Sequence, residues 1–333
     1  MRPTELTRGI GLRQDGTSCF GNDVQARFCW QLRLLRDKPQ VNWGFSLCPT
    51  IVGKSGSVTV ESISSPSNQR IKAANSLRDP RERRDSGLMI IDGDSIARHA
   101  HAGGIECTEL FILETSEESH RLLVSDWQAL VPGIRINLIS KPAMAKLQYG
   151  DRDVGLIAVA RQPSLALETL DERIVPTKKD TDTKCFLVLD RMEKPGNLGA
   201  VMRTADAAGV SAVLLSDPVS EMWNPNAIRA SLGALFRVPM AVGSAKQIQA
   251  WLTERSIAIY AARVDGTLSH TAPKYEKAVS IVVGSESDGL GDNWVKPEVT
   301  AVCIPMHGAV DSLNASVSTS IILFEVLRQH GRV

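Results

Sequence analysis

The chain has 333 residues, 43% hydrophobic and 23% charged, with a formal net charge of +1. That balance is globular and argues against a surface that wraps polyanions everywhere, while a local basic patch remains compatible with it. Six cysteines without a CxxC pair, six histidines without ligand spacing and no apolar run near about 18 residues exclude a disulfide scaffold, a zinc site and a membrane span, and a cytoplasmic protein is expected.

Residues 1–57 show no sustained period and read as a weakly ordered extension with one helix over Val24–Leu35. Gly53-Lys54-Ser55 fails as the end of a phosphate-binding loop, because Cys48 stands where that loop needs glycine. From Ser57 the texture changes. VTVESI alternates as a strand, and Pro66-Ser67-Asn68 opens a helix from Gln69 to about Leu77. This helix and the turn after it carry Arg70, Lys72, Arg78, Arg81, Arg83 and Arg84 against Asp79 and Glu82, a run suited to phosphate contact. Strands Gly87–Ile91, Thr108–Leu113, Arg135–Ile139 and Gly155–Ala160 then alternate with helices Ser95–His101, Glu117–Ala129 and Lys141–Leu147. Such alternation is an α/β domain, read over residues 58–162, and residues 163–184 with their prolines and TKKDTDTK run read as a linker.

The second domain, residues 185–333, starts with the continuously apolar strand CFLVLD. The loop MEKPGNLG, a helix Ala200–Ala208, a strand Ser211–Leu215 and a helix Asn226–Leu232 follow. A helix Ala245–Glu254 and strands Ile257–Ala261, Val279–Val283 and Ala301–Ile304 complete a mainly parallel sheet. Asp311-Ser312 are suited to cap a last helix whose apolar stripe is Leu313, Val317, Ile321, Phe324 and Leu327. The first half of that helix is crowded with Ser312, Asn314, Ser316, Ser318, Thr319 and Ser320. Serine and asparagine are mediocre helix formers, so a binding role is expected.

In an open parallel sheet, ligands bind beyond the carboxyl ends of the strands. Three strands here end in loops that combine glycine with polar side chains: Pro195-Gly196-Asn197-Leu198-Gly199, Gly284-Ser285-Glu286-Ser287-Asp288-Gly289-Leu290, and the loop ending Ser312-Leu313-Asn314. Glycine lets backbone approach a ligand closely, and Ile304, Met306 and Leu313 suit a flat heteroaromatic ring. No GxGxxG follows either first strand, so a dinucleotide site is unsupported.

NLGAVMRTADAAGV, IVVGSESDGL and IPMHGAVDSLNASVSTSIILFE resemble the three motifs of the SpoU (TrmH-like) family, and NPNAIRASLGALFRVP between the first two also resembles it. The likeness covers about Phe186 to Arg328, and SPSNQRIKAANSLRDPRERRDSGLMIIDG more loosely resembles the start of the substrate-binding domain of many members. The resemblance implies an S-adenosylmethionine-dependent RNA ribose 2′-O-methyltransferase of the SPOUT class. It also implies a C-terminal trefoil knot holding the cofactor, a homodimer packed through the knotted face, and an N-terminal domain similar to ribosomal protein L30e. Asn197, Arg203, Glu286 and Asn314 match the family's polar active-site positions, with Ser312 close by. Gly284, Ile304 and Leu313 match positions that contact the cofactor through backbone, and Met306 and Ser312 are added to that set. Arg70, Lys72, Arg83, Arg84 and Arg229 are the expected RNA contacts. Lys194 stands where the family often has an acidic residue, and Ser287-Asp288 where it often has glycine. Lys194 bears on the RNA target more than on activity. Ribosomal RNA is the expected substrate; transfer RNA and a catalytically silent RNA-binding protein are the alternatives.

Overall fold

The computed structural model describes residues 60–115, 117–150, 154–174, 183–285 and 287–332. The helix expected at Val24–Leu35, the extension to residue 57 and Glu286 lie outside them. Gly56–Val333 forms one unit by its internal contacts, and it contains two sheets.

The first sheet has the order β1 (Val60–Ile63), β4 (Arg135–Ile139), β3 (Cys107–Leu113), β5 (Leu156–Arg161), β2 (Leu88–Asp92). Strands β1, β4 and β3 pair in parallel, and β5 runs antiparallel between β3 and β2. Helices α1 (Gln69–Ser76), α2 (Pro80–Ser86), α3 (Asp94–Ala102), α4 (Glu117–Leu130) and α5 (Lys141–Leu147) connect and cover them. Asn68 caps α1, its side chain accepting from Arg70 N at 2.8 Å. Helix α2 replaces the expected turn. Asp79 accepts from Arg81 N at 2.7 Å, Pro80 starts the first turn, and Gly87 at φ 65° ends it.

The expected linker is structured in its first half. Leu167 and Leu170 are buried with Phe186 and Trp251, and α6 (Leu170–Arg173) follows directly. Val242 N donates to Leu165 O at 2.8 Å, so this segment is bound to the second sheet and does not swing between domains. Residues 175–182 lie outside the described residues.

The second sheet is parallel throughout, in the order β10 (Leu268–Ser269), β12 (Val299–Cys303), β9 (Ala258–Ala262), β11 (Ala278–Val283), β6 (Lys184–Asp190), β7 (Ala212–Ser216), β8 (Met240–Gly243). Strand β8 was absent from the sequence reading. Its four residues, following Pro239, are too short to show a period. Helices α7 (Pro195–Ala208), α8 (Pro225–Ser231), α9 (Ala245–Glu254) and α10 (Ala315–Gln329) cover the sheet. Helix α7 starts five residues earlier than expected, with Pro195 at its first turn, so Asn197 sits in a helix and not in a loop.

Helix α10 also departs from expectation. Asn314 is its cap, not Asp311-Ser312, and the buried residues are Ala315, Thr319, Ile322, Leu323, Val326 and Leu327. Of the expected stripe only Leu327 is buried, while Val317 and Phe324 are 45% and 40% exposed. The helix carries apolar residues on two faces, and the periodicity matched the outer one. The two sheets share one apolar cluster, which joins Met89, Ile91 and Ala100 to Leu187, Trp223 and Phe236. About 25 cal/mol per Å² of buried apolar surface favours keeping them docked.

Candidate active site

Strands β6, β9, β11 and β12 are parallel neighbours, so their carboxyl ends lie along one edge. The loops after β9, β11 and β12 and the start of α10 line a cavity of about 510 Å³. Gly284, Ile304, Met306, Ser312 and Leu313, the whole predicted cofactor set, line it. So does Ser318, one of the polar residues crowding the last helix, and so do Ala262, Arg263 and Asp265, which no sequence motif marks.

The loop after β11 is folded tightly upon itself. Ser285 N donates to Gly289 O at 3.0 Å, Gly289 N returns to Ser285 O at 3.2 Å, and Ser285 Oγ accepts from Asp288 N at 3.1 Å. A Cβ on Gly284 would lie 2.2 Å from the Gly289 carbonyl carbon, so no side chain fits there. The far end of the loop is anchored by Asp190, which is 2% exposed at the end of β6. Its carboxylate accepts from Ser216 Oγ at 2.6 Å and from Gly291 N at 2.9 Å. Arg191, at φ 51°, donates to Gly289 O at 3.3 Å. The sequence signal for this anchor is an aspartate that directly follows the apolar run Cys185-Phe186-Leu187-Val188-Leu189.

Beside the cavity, helices α7 and α10 meet through polar side chains. Asn314 Oδ1 accepts from Ser316 N at 2.9 Å and Ser316 Oγ at 2.6 Å, while its Nδ2 donates to Asn197 Oδ1 at 3.2 Å. Thr204 Oγ1 and Ser320 Oγ lie 3.1 Å apart, and Thr319 Oγ1 donates to Ala315 O at 2.7 Å. The polar crowding of α10 thus divides: Ser312 and Ser318 line the cavity, Asn314 caps and reaches Asn197, and the others serve helix contacts. Of the predicted catalytic residues, the structure brings together Asn197 and Asn314. Arg203 is exposed, six residues beyond Asn197 on α7 and hence well round the helix from it. Among the described residues its side chain has no hydrogen bond or ion pair. Glu286 lies outside the described residues.

The predicted RNA contacts separate into two groups. Lys72 and Arg84 are exposed. Arg83 is corrected: its side chain is 0% exposed, with Nη1 donating to Leu77 O and Arg78 O at 2.7 and 2.9 Å, and Nε and Nη2 held by Glu221. The unrecognised helix α2 turns it inward, so it offers RNA nothing. Arg70 is tied to Glu109 at 3.0 Å and Glu61 at 3.4 Å. Arg229 is half-buried over the Tyr149 ring of the first domain at 5.1 Å and donates to Asn226 Oδ1 at 2.7 Å.

Burial pushes the thiols of Cys107 and Cys185 up, to about 11 and about 12, so neither is a nucleophile at neutral pH. No group of three or more metal-ligating side chains occurs among the described residues, and no described helix is long and apolar enough to cross a membrane.

Residues 184–324 match the model of the SpoU rRNA Methylase family, and residues 68–158 match the MRM3-like substrate binding domain. The 23S rRNA (guanosine-2′-O-)-methyltransferase RlmB of Bordetella pertussis is 31% identical over 238 residues, covering 70% of this chain and 94% of that relative. The chain belongs to the SpoU rRNA methylase family. A crystal structure of an RNA 2′-O ribose methyltransferase is similar to it at 31% identity and TM-score 0.66, covering 80% of this chain and 98% of that one. An AdoMet-bound rRNA methyltransferase from Sinorhizobium meliloti shares the fold at 23% identity and TM-score 0.69, covering 81% and 98%. The SpoU match spans every loop of the cavity, and the substrate-binding match falls on the first sheet.

Proposed function

We propose that this SpoU-family protein transfers the methyl group of S-adenosylmethionine to a ribose 2′-hydroxyl of ribosomal RNA of the 23S type. The observation that carries this reading is that all five residues expected to hold the cofactor line one cavity, beside the Asn197–Asn314 contact. The cavity fits the cofactor on its own terms. Its size suits a nucleoside-sized ligand. Its Ile304 and Leu313 side chains offer apolar surface to a heteroaromatic ring, and Gly284 leaves backbone bare where a Cβ has no room.

When bound, the cofactor supplies a sulfonium methyl that a ribose oxygen attacks. The chain's own residues then have positioning and charge to provide. Asn197 and Asn314, fixed by their mutual hydrogen bond and by the start of α10, present amide groups that orient the hydroxyl. A guanidinium is a hydrogen-bond donor with no acceptor atom, so the part of Arg203 is to stabilise a developing oxyanion or clamp a phosphate. Glu286 is assigned the orienting of Arg203 or Asn197.

In the same reading residues 58–162 bind RNA, residues 185–333 catalyse, and the C-terminal segment threads a trefoil knot. Two copies pair through the face that carries exposed Val317 and Phe324, which favours covering them. The location is cytoplasmic, supported by ribosomal RNA as substrate. The test is transfer of labelled methyl from S-adenosylmethionine to ribosomal RNA, together with mapping of 2′-O-methylated nucleotides with and without the gene. Absence of transfer to any cellular RNA, with unchanged cofactor binding by Asn314→Ala, would overturn it.

A further inference from the structure

Arg263 and Asp265 are bound to each other on the wall of the cavity. Arg263 Nε donates to Asp265 Oδ1 at 2.8 Å and Nη2 donates to Oδ2 at 2.6 Å, a two-pronged fork across two residues. Arg263 N donates to Val302 O at 2.9 Å, and Gly266 N donates to Arg263 O at 3.3 Å, closing a turn after β9. A Cβ on Gly266 would lie 2.9 Å from the Val302 carbonyl carbon, so the turn is pressed against β12 and cannot drift. The Asp265 side chain remains 64% exposed, against 24% for Arg263. As a stability device such an open pair contributes little. On a cavity wall it does something else: it fixes the plane of one carboxylate and keeps it ionised. The hydrogen bonds from Arg263 lower the Asp265 pKa below the usual carboxylate range.

We propose that Asp265, held by Arg263, is the acceptor for the vicinal diol of the cofactor ribose. This rests on the reading that the cavity takes S-adenosylmethionine. Each carboxylate oxygen spends one lone pair on Arg263 and keeps another, leaving two acceptors side by side as adjacent hydroxyl donors require. A carboxylate just beyond a strand's carboxyl end is where a ribose hydroxyl is bound in other open α/β sheets. Asp288 and Asp311 also line the cavity, but among the described residues neither carboxylate is fixed by a cation. Arg263 is the one guanidinium among the described lining residues, and Asp265 is its partner.

The test is calorimetric binding of three ligands to the full chain: S-adenosylhomocysteine, its 2′-deoxy form, and 5′-methylthioadenosine, which keeps the diol and lacks the amino acid. Wild type should prefer S-adenosylhomocysteine to its 2′-deoxy form by about tenfold or more, the size of one hydrogen bond to a charged group. Asp265→Ala should weaken S-adenosylhomocysteine and methylthioadenosine alike by about tenfold and erase the preference for the diol, with Arg263→Gln falling between. Equal wild-type affinity for the two homocysteine forms would overturn the proposal. So would an Asp265→Ala that weakens S-adenosylhomocysteine but not methylthioadenosine, which would place the pair at the amino-acid end. Wild type that binds none of the three would overturn the cofactor reading itself.

Discussion

Arg83 and Glu221 form a buried two-pronged ion pair between the two halves of the molecule, with Nε to Oε1 at 2.9 Å and Nη2 to Oε2 at 2.6 Å. The pair fastens helix α2 to the loop between β7 and α8. Next to Glu221, Ser220 N donates to Met192 O at 3.1 Å, one residue from the Arg191 that holds the cavity loop. The substrate-binding half is thereby tied to the cavity through a short chain of contacts.

Arg83 and its neighbour Arg84 should therefore behave in opposite ways. Arg83→Ala leaves Glu221 without its partner and is expected to lower stability by about 3–5 kcal/mol, read as a fall in the urea midpoint. Arg84→Ala should stay within about 0.5 kcal/mol of wild type but weaken RNA binding and reduce its salt slope by about one. Equal stability of the two variants would contradict the clamp.

Asn314 has two roles that substitution can separate. Asn314→Ala loses both the cap and the contact with Asn197, and about 1 kcal/mol of stability should go with the cap. Asn314→Ser keeps a capping oxygen but cannot reach Asn197, so its stability should be near wild type. Its methyl transfer should nevertheless fall by about tenfold or more. Full activity in Asn314→Ser would reduce Asn314 to a cap.

Gly284→Ala forces a methyl group into the Gly289 backbone. The loop after β11 must shift, and affinity for S-adenosylhomocysteine should fall by about tenfold or more in a titration. Ala200→Gly in α7, away from the cavity lining, should leave that affinity unchanged and serves as the control.

Acid should loosen the C-terminal helix through Glu325. Hydrogen bonds from Arg328, and to a smaller extent from Gln329, hold its pKa down to about 2 from an ordinary 4.5. A carboxylate depressed in the folded state contributes stability above its unfolded pKa and loses it as pH falls. The stability difference between wild type and Glu325→Gln should therefore shrink from pH 4.5 toward about 2. A difference that does not change with pH over that interval would count against the contact.

Much of the site was legible because its chemistry is local. The glycines and polar residues of the three loops are consecutive in the chain, so their order reveals them before any packing is known. Helix α2 was equally readable in principle, since Asp79, Pro80 and Gly87 are its start and stop signals. Its density of arginine drew attention to charge instead. Asp190 was hidden because nothing in CFLVLD says which backbone its carboxylate will meet.

The sequence by itself determined the two α/β halves, most of their strands and helices and the family, and it singled out five residues that share one cavity, because periodicity, caps and motif order are properties of neighbours along the chain. Only the tertiary structure decided which cations face solvent. Arg83 and Arg84 are adjacent and chemically identical, and a turn of helix sends one to Glu221 and leaves the other in water. It also decided which face of α10 is inside, that the first half of the linker is docked, and that Asp265 stands in the wall of the same cavity as Gly284. These depend on burial and partners far apart in sequence, which no local pattern encodes.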